Sequence, residues 1–515
     1  MRLSKKKGGA ALPQEEIAAI KYMKYRYEAE WRPYAFPPQS NAFADEECLK
    51  RSLTRINFSA KSTSPSGPPV ISDGNRNIYA STDDSMSISF GITGAKKTRC
   101  LVLPSIASAI HAGESLVVPD IKGDFVCGEH SAFVRGMLEK YGYEVHVIDF
   151  RTKSGDGYNI LAEPYKLYRK GDTDTALEMN SDIVKTLGRD LYAGTKADPF
   201  WESSSNCHLR GVIPKIYKYC NNISKVNFLS VASFLNEDNE GALKAILNYE
   251  NDYSLEAVQL RSVLAQPDKT KASTAATSMT FIEPFLINRK LLRMLSQTTF
   301  EVRNLYRKKM CLFIMLPDEN PAYDTICGII LQQINATLLQ DATDMGGRLP
   351  RRVNFICDEF CNYKIPNMAA NISASRSRNI RWLIICQSQQ QLRDAYPQEA
   401  ATIIANCQNL FFFNSMELSL LDELSRRAGT TTVTYSGAPE PLISVQDLQR
   451  LKKTRDYAEV LYMSRGTFYV SRLADIARYK IYRSMPQKKY GIPSVKLEEV
   501  SAFTPQDMLK AASEE

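Results

Sequence analysis

Residues 91–98 form the sequence GITGAKKT, which has the residue types and almost the spacing of a phosphate-binding loop. The pattern for such a loop is G-x-x-x-x-G-K-[ST]: backbone N–H groups surround the phosphate, the lysine reaches the β- and γ-phosphates, and the hydroxyl binds Mg²⁺. Gly91, Lys97 and Thr98 are in register with this pattern, whereas Lys96 stands where the second glycine belongs. A lysine in the left-handed conformation of that glycine costs about 1–2 kcal/mol, and we expect its side chain to point away from the nucleotide.

Two carboxylates follow the apolar run at residues 353–357. The carboxyl ends of strands line the ligand site in open α/β sheets, so Asp358 and Glu359 are expected at that edge. In P-loop ATPases the first acid holds Mg²⁺ through water and the second polarises the attacking water. A strand followed by an acidic turn would have the same sequence, so the pair alone leaves both interpretations open.

Two further apolar runs end in polar residues that suit phosphate chemistry. RWLIIC is followed by Gln387, which could orient the attacking water, and VVP is followed by Asp120. Between the acids and Gln387 lies SASRSRNI, whose Arg376 and Arg378 are candidates for an arginine finger that completes a neighbouring subunit's site. Surface charge on a helix is the alternative for either arginine. Four such strand ends in one sheet are much less expected by chance than any one of them.

Short β-rich runs alternate with helical patterns along much of the chain, which predicts a doubly wound, mostly parallel α/β domain. The alternation lapses at about 185–300, where the pattern is helical, and we interpret this stretch as an all-α insertion that splits the α/β domain. The eight runs predicted as strands are SMSISFGI, ESLVVPD, YEVHVIDF, MCLFIMLPD, RVNFICDEF, RWLIICQSQ, NLFFFN and AEVLYMS.

The predicted organisation therefore has five parts. An amphipathic helix at 14–31 belongs to an N-terminal basic arm, and a Ser-, Pro- and Gly-rich break at 61–75 marks the entry to the main domain. The parts are the arm (1–60), the first part of the nucleotide-binding domain (61–184), the all-α insertion (185–300), the second part of the nucleotide-binding domain (301–480) and a C-terminal arm (481–515).

The bulk composition limits the class of protein. Among 515 residues, 65 Lys and Arg against 57 Asp and Glu give a net charge of +8, which permits nucleic acid or an anionic membrane as a partner and requires neither. Four histidines argue against a histidine-rich metal centre, and 11 scattered cysteines indicate no disulfide framework. No apolar run suits a signal peptide or a spanning helix. We expect a cytoplasmic chain, or one attached to a membrane from its surface.

Taken in order, the motifs resemble the TraG/TraD-type coupling proteins of type IV secretion systems, and most closely the conjugative-element members from Gram-positive bacteria. The resemblance covers roughly residues 50–475. It rests on the phosphate loop and on the segments LVLPSIASAI, DIKGD, YGYEVHVIDFR, GDGYNIL, DPFWE, VNFICDEFCNYKIPN, ASRSRNIRW, CQSQQQL and PLISVQDLQRLKK.

This resemblance implies a RecA-like P-loop NTPase with an inserted all-α domain, assembled as a homo-hexameric ring. It implies ATP and Mg²⁺ as cofactors. The cargo would be single-stranded DNA bound to a relaxase, delivered to secretion-channel proteins at the inner face of the cell membrane.

The resemblance also assigns roles to residues. Glu359 and Gln387 would be catalytic, as would the trans-acting arginine, for which Arg376 is slightly preferred to Arg378. Thr98 and Asp358 would hold Mg²⁺. The nucleotide would be bound by Gly91, Thr93, Gly94, Ala95, Lys96, Lys97, Thr98, Asp120 and Asp358.

Two departures from the family pattern leave alternatives open. The family carries N-terminal transmembrane helices, so this chain would reach the membrane through a separate anchor protein or its basic N-terminus. The family loop reads G-x-T-G-S-G-K-T, whereas this chain has Ala95 and Lys96. A non-hydrolysing scaffold of the same machinery is therefore the alternative to an ATP-driven motor. A chromosomal pump of the FtsK/HerA kind fits the order of the motifs less well.

Overall fold

The computed structural model describes residues 41–192, 198–236, 239–250, 253–317, 323–431 and 440–514. The helix predicted at 14–31, and most of the N-terminal arm with it, lies outside these residues. Within the described ranges, we find no helix with the length and apolar character needed to cross a bilayer.

The first described segment forms a helix and a small antiparallel sheet. Helix α1 (Glu46–Ser52) is capped by Asp45, whose carboxylate accepts a hydrogen bond from the backbone of Cys48. Strands β1 (Thr54–Asn57), β2 (Pro69–Ser72) and β3 (Asn77–Ala80) pair in the order β1-β3-β2. Strand β2 lies inside the break predicted at 61–75: Pro69, Val70 and Ile71 are buried, and Pro69 and Ile71 pair with β3.

The main sheet has ten strands in the described part of the chain, in the order β15-β14-β11-β4-β10-β9-β5-β8-β6-β7. The seven strands from β11 to β6 are parallel, and β14, β15 and β7 are antiparallel additions at the edges. A separate two-stranded sheet joins β12 and β13. The strands are β4 (Ser87–Phe90), β5 (Ser115–Asp120), β6 (Glu144–Asp149), β7 (Ser154–Gly155), β8 (Met310–Met315), β9 (Val353–Cys357), β10 (Ile380–Cys386), β11 (Asn409–Phe412), β12 (Thr430–Thr431), β13 (Glu440–Pro441), β14 (Tyr457–Ser464) and β15 (Thr467–Ala474).

All eight runs predicted as strands form strands of this sheet, which confirms the α/β prediction. The strands could be predicted because buried parallel strands are apolar on both faces. In β10, for example, Trp382 and Ile384 pack into the core on one side of the sheet, whereas Leu383 and Ile385 pack into the core on the other. The ring of Trp382 stacks on that of Phe355 in β9 at 4.0 Å. Strand β15 was not predicted, because it is an edge strand with several half-buried residues.

Two helices follow the first strands of the sheet. Helix α2 (Leu103–Ala112) follows β4 after a short π-helical turn at Thr98–Val102, and it ends at Gly113, whose φ of 75° closes the helix in the left-handed conformation. Helix α3 (Ser131–Lys140) follows β5 and packs against α2.

A helical segment follows β7 and runs to the start of β8. The stretch predicted as all-α, 185–300, lies inside it, and the division into domains stays a prediction. Helix α6 begins where Asp198 caps the backbone of Phe200 and Pro199 occupies the first turn. The helices are α4 (Ala162–Arg169), α5 (Thr173–Tyr192), α6 (Pro199–Tyr219), α7 (Phe228–Phe234), α8 (Glu240–Glu250), α9 (Leu255–Leu264), α10 (Asp268–Leu286), α11 (Arg289–Leu295) and α12 (Asn304–Arg307).

The remaining helices alternate with the second half of the sheet. The long helix α13 packs against α5, so the helical segment is joined to the sheet through a shared apolar core. These helices are α13 (Asp324–Asp344), α14 (Met368–Ser375), α15 (Gln389–Ala395), α16 (Ala400–Asn406), α17 (Leu418–Ala428), α18 (Val445–Gln449), α19 (Lys480–Arg483) and α20 (Pro505–Glu514).

The C-terminal segment crosses from the sheet to the helical segment. We call residues 486–504, which have no helix or strand, the strap. The hydroxyl of Tyr490 donates to Glu139 of α3 at 2.6 Å, and the backbone N–H of Glu498 donates to the side chain of Gln297 at 2.9 Å. The strap leads to α20, which packs on α6 and α8.

A half-buried histidine links β6 to the start of the helical segment, and it predicts a dependence of stability on pH. Burial lowers the pKa of His146, but hydrogen bonds to Asp156 and Glu144, each at 3.0 Å, outweigh burial and raise this pKa above its usual value. The charged imidazole is therefore stabilising in the folded protein. This contribution is complete below about pH 6.5, where the unfolded histidine is also protonated, and it is lost as pH rises through the folded pKa.

We therefore expect the wild-type protein to lose on the order of 1–2 kcal/mol of unfolding free energy above about pH 6.5, and His146→Gln to lack this loss. Urea unfolding between pH 6 and 9 measures it. His208→Gln is the matched control, because burial lowers the pKa of His208 to about 4 and keeps it neutral in this range. The same slope in wild type and His146→Gln would contradict the assignment.

Candidate functional site

The phosphate loop joins β4 to the turn before α2, and its backbone explains its two glycines. The N–H of Gly91 donates to the carbonyl of Cys386 at 3.2 Å. A Cβ on Gly91 would lie 2.9 Å from that of Phe413, closer than real side chains approach. Gly94 has a φ of 77°, in the left-handed region that glycine adopts without cost. Thr93 and Gly94 are exposed and Ala95 is buried, so the loop presents its backbone to solvent.

Lys96 adopts the left-handed conformation expected of the missing glycine, with a φ of 71°. Its Nζ donates to the carbonyl of Arg455 at 2.7 Å and to Oδ2 of Asp475 at 2.8 Å. The side chain therefore points away from the loop. Asp475, which directly follows β15, also accepts a hydrogen bond from Nε of Arg99 at 2.8 Å. Charge-assisted hydrogen bonds of this kind offset the backbone cost at Lys96.

Lys97 lies inside the loop. Its Nζ donates to the carbonyl of Gly91 and, at 3.2 Å, to that of Ile92. Burial lowers the pKa of Lys97, and the nearby carboxylates of Asp358 and Glu359 partly oppose this effect. The ammonium is thus held by neutral carbonyl groups of the loop, beside the position where a phosphate would be bound.

Thr98 and Asp358 connect the loop to the acids after β9. The Thr98 hydroxyl donates to Oδ2 of Asp358 at 2.9 Å. Burial and the neighbouring Glu359 raise the pKa of Asp358, while Thr98 and Lys97 act in the opposite direction. A hydroxyl and a carboxylate oxygen are hard donors that suit Mg²⁺, which typically binds through one or two carboxylates, water and phosphate. The contact between these two donors makes the pair the candidate Mg²⁺ site. In the described residues, no group of three or more His, Cys, Asp and Glu side chains is suited to a metal.

Glu359 and Gln387 complete the connected set. Nε2 of Gln387 donates to Oε2 of Glu359 at 2.8 Å. Glu359 has a φ of 51°, a strained left-handed conformation for a residue with a side chain. The structure thus brings together five of the predicted residues at the carboxyl edge of three adjacent strands: Lys97, Thr98, Asp358, Glu359 and Gln387.

Asp120 lies at the same edge of the sheet, but its carboxylate serves its own loop. It accepts hydrogen bonds from the backbone N–H groups of Asp124 at 3.0 Å, Phe125 at 2.9 Å and Val126 at 3.2 Å. Burial raises the pKa of Asp120 to about 7, against the effect of these hydrogen bonds. Its geometry indicates a role in shaping residues 121–126, and the nucleotide contact at Asp120 stays a prediction.

Arg376 and Arg378 lie at the opposite edge of the sheet. They form a short 3-10 turn just before β10, whereas Gln387 directly follows that strand, and seven extended residues span about 23 Å. Arg376 is exposed, and Nη1 of Arg378 donates to the carbonyl of Ala374 at 2.9 Å. Neither arginine joins the phosphate loop of its own chain.

No sequence pattern indicated the residues that hold the loop from outside. Besides Asp475 and the carbonyl of Arg455, Nζ of Lys453 donates to the carbonyl of Gly94 at 3.1 Å. Lys453 belongs to the quoted segment PLISVQDLQRLKK, which carried the resemblance but no assigned role. Asp475 follows a strand that was not predicted, so no local pattern linked it to a loop more than 370 residues earlier.

The chain matches a known protein family over most of its length. A family model described as type IV secretory system conjugative DNA transfer matches residues 46–460. No curated protein sequence matches the chain significantly.

Several solved structures resemble the fold. The plasmid coupling protein TrwB in complex with the non-hydrolysable ATP analogue ADPNP has a TM-score of 0.57 at 15% identity, covering 91% of this chain and 98% of that one. TrwBdeltaN70 in a trigonal form with sulphate has a TM-score of 0.58 at 15% identity, covering 86% and 94%. TrwB with ADP and Mg²⁺ has a TM-score of 0.56 at 14% identity, covering 88% and 96%. The likeness confirms the predicted RecA-like α/β fold.

The burial of Asp358 predicts that this acid destabilises the folded protein in the absence of ligand. Because its pKa is raised, the folded state disfavours the ionised form. The cost begins as pH rises through the unfolded pKa of about 4 and is complete above the raised folded pKa. We expect Asp358→Asn to increase the unfolding free energy by about 1 kcal/mol at pH 7, and the gain to disappear as pH approaches 4.

Asp84→Asn is the control for this prediction. Hydrogen bonds and charge from Arg348 and Arg352 lower the pKa of Asp84 despite its partial burial, so that variant should lose stability at pH 7. Chemical denaturation without nucleotide measures both variants. A loss of stability in Asp358→Asn would contradict the prediction, because it would show that the contacts of Asp358 with Thr98 and Lys97 outweigh the free-energy cost of burying its carboxylate.

Proposed function

We propose that this chain, which belongs to the type IV secretory system conjugative DNA transfer family, is a coupling protein that binds ATP and Mg²⁺ at its phosphate loop. Hydrolysis would drive single-stranded DNA, with its bound relaxase, to the secretion channel. The observation that carries this proposal is the set of contacts from the loop to Asp358 and from Glu359 to Gln387. These contacts support the proposal, because phosphate-transfer chemistry needs a lysine, a Mg²⁺-binding hydroxyl and acid, and a general base close together.

The residues divide the chemistry among them. Backbone N–H groups of residues 93–98 would bind phosphate oxygens, except that of Ala95, which donates to the carbonyl of Ile92 at 3.1 Å. Lys97 would exchange its carbonyl partners for the β- and γ-phosphates. Thr98 and Asp358 would hold Mg²⁺, which neutralises charge that develops on the phosphates. Glu359, whose carboxylate is oriented by Gln387, would accept a proton from the attacking water.

The position of Lys96 favours the motor over the non-hydrolysing scaffold. A side chain in place of glycine would favour the scaffold if it blocked the phosphate or distorted the loop. The Lys96 side chain instead pairs with Asp475 outside the loop, and the backbone keeps the conformation of a glycine. The loop is therefore compatible with phosphate binding.

Assembly and location form part of the same proposal. Arg376 is exposed and lies at the sheet edge opposite its own phosphate loop, so it could serve only the site of a neighbouring copy. A head-to-tail interface that repeats around a closed ring, here a homo-hexamer, provides that arrangement. Secretion-channel proteins and a separate anchor protein would hold the ring at the inner face of the cell membrane.

Two substitutions separate binding from hydrolysis. Lys97→Ala should lose nucleotide binding, because it removes the charge that meets the β- and γ-phosphates. Glu359→Gln should still bind ATP but hydrolyse it at least about 100-fold more slowly, because it lacks the general base. The assay is ATPase activity with and without single-stranded DNA, and Lys61→Ala, an exposed lysine outside the site, is the control. If the wild type binds no nucleotide at millimolar ATP, the motor is ruled out and the non-hydrolysing scaffold is the function that remains.

A mixing experiment tests the arginine in trans. Arg376→Ala and Lys97→Ala should each be inactive alone. Mixed in equal amounts with free subunit exchange, they should recover about a quarter of the wild-type ATPase rate, because about one interface in four joins an intact loop to an intact arginine. Repeating the experiment with Arg378→Ala shows which arginine acts. If neither mixture recovers activity, the site is not shared between copies.

A further inference from the structure

We propose that Asp475 is a positioning residue for the phosphate loop, whose carboxylate holds Lys96 in the backbone conformation that glycine provides elsewhere. Asp475 would thus make a lysine acceptable at a position that requires φ > 0. This inference rests on the proposed nucleotide site, and it adds a residue that no motif of the loop includes.

The Asp475 carboxylate is a fixed anchor. Its side chain is 3% exposed, and its backbone N–H donates to the carbonyl of Asp456 at 2.8 Å. Oδ1 accepts hydrogen bonds from the backbone of Ala477 at 3.0 Å and from Nη2 of Arg99 at 2.9 Å. Oδ2 is shared by Nε of Arg99 and Nζ of Lys96, each at 2.8 Å. The backbone hydrogen bond to Asp456 and the hydrogen bond from Ala477 to the carboxylate hold Asp475 in place independently of Lys96.

The base of the β14–β15 hairpin holds the loop at both of its left-handed residues. Lys96 contacts Asp475 and the carbonyl of Arg455, whereas Gly94 accepts a hydrogen bond from Lys453 through its carbonyl at 3.1 Å. The two residues with positive φ, Gly94 and Lys96, are therefore the two that this hairpin holds. The contacts from the hairpin therefore act at the two positions where the loop backbone would otherwise leave its positive φ.

Loss of the anchor should have consequences only while residue 96 carries a side chain. Without Asp475, the backbone of Lys96 would leave the left-handed region, and the N–H groups of the loop would turn away from the phosphate. A glycine at 96 adopts positive φ at no steric cost, so it needs no anchor. The contributions of residues 96 and 475 to nucleotide binding should therefore be strongly non-additive.

The test compares the full-length wild type with Lys96→Gly, Asp475→Ala and the double variant, using a fluorescent ATP analogue and Mg²⁺. Asp475→Ala should weaken binding by about 5- to 30-fold, the factor that corresponds to the cost of a left-handed residue. The double variant should bind as tightly as Lys96→Gly. Failure of glycine to rescue binding overturns the proposal.

A control isolates the role of Lys96 from that of Arg99, the other partner of Asp475. Arg99→Ala removes that pairing but leaves the Lys96 contact in place, so it should lose much less affinity than Asp475→Ala. A loss equal to that of Asp475→Ala would show that the carboxylate acts through Arg99, and this result would also overturn the proposal.

Thermal unfolding of the same four proteins without nucleotide keeps the inference distinct from the proposed function. Asp475→Ala should lower the melting temperature more when residue 96 is lysine than when it is glycine. If the wild type binds no nucleotide, the proposed function fails, yet this comparison still tests the anchor. Equal decreases with lysine and with glycine at 96 would overturn it.

Discussion

The parallel register of three neighbouring strands determines where the reactive side chains lie. In β4, β10 and β9, Phe90 is paired with Cys386, and Cys357 with Ile384, so the three strands end at the same edge. The next residue in each case is a member of the site: Gly91, Gln387 or Asp358. A shift of one residue in any of these strands would reverse which face its side chains meet and move its end residue away from the others. The apolar packing that fixes the register therefore also fixes the site.

The site combines groups that are unfavourable without a ligand. Lys97 is buried and Asp358 half-buried, and burial shifts the pKa of each towards its neutral form. Glu359 has a backbone conformation that side chains rarely adopt. Natural proteins accept such costs where function needs charged groups in a preorganised arrangement. A phosphate that carries negative charge and a divalent cation would stabilise these groups, so the arrangement suits a ligand with both.

How much of the structure could be predicted depended on how far apart along the sequence the interacting residues lie. The eight predicted strands were correct because burial on both faces produces apolar runs, and parallel strands bring the residues that follow them to one edge. The hydrogen bonds of Asp120 to its own loop could not be predicted, because a strand ending in an acid looks the same whether its carboxylate faces a ligand or its own loop. The anchoring of Lys96 by Asp475 depends on a contact between distant residues, which no local spacing records. The small sheet of β1 to β3 was not predicted, because β2 begins with a proline and lies in a segment rich in proline and glycine.

The strap is a covalent connection between the helical segment and the base of the β14–β15 hairpin. It starts shortly after Asp475 and α19, is attached to α3 by Tyr490, and reaches the far side through Glu498 and α20. It is additional to the two shorter links, 156–161 and 308–309, that join the helical segment to β7 and β8. A tensile load applied to the helices would be carried along the backbone to the base of the hairpin that holds the phosphate loop. The same chain that closes the structure is therefore also a mechanical connection between a distant surface and the nucleotide site.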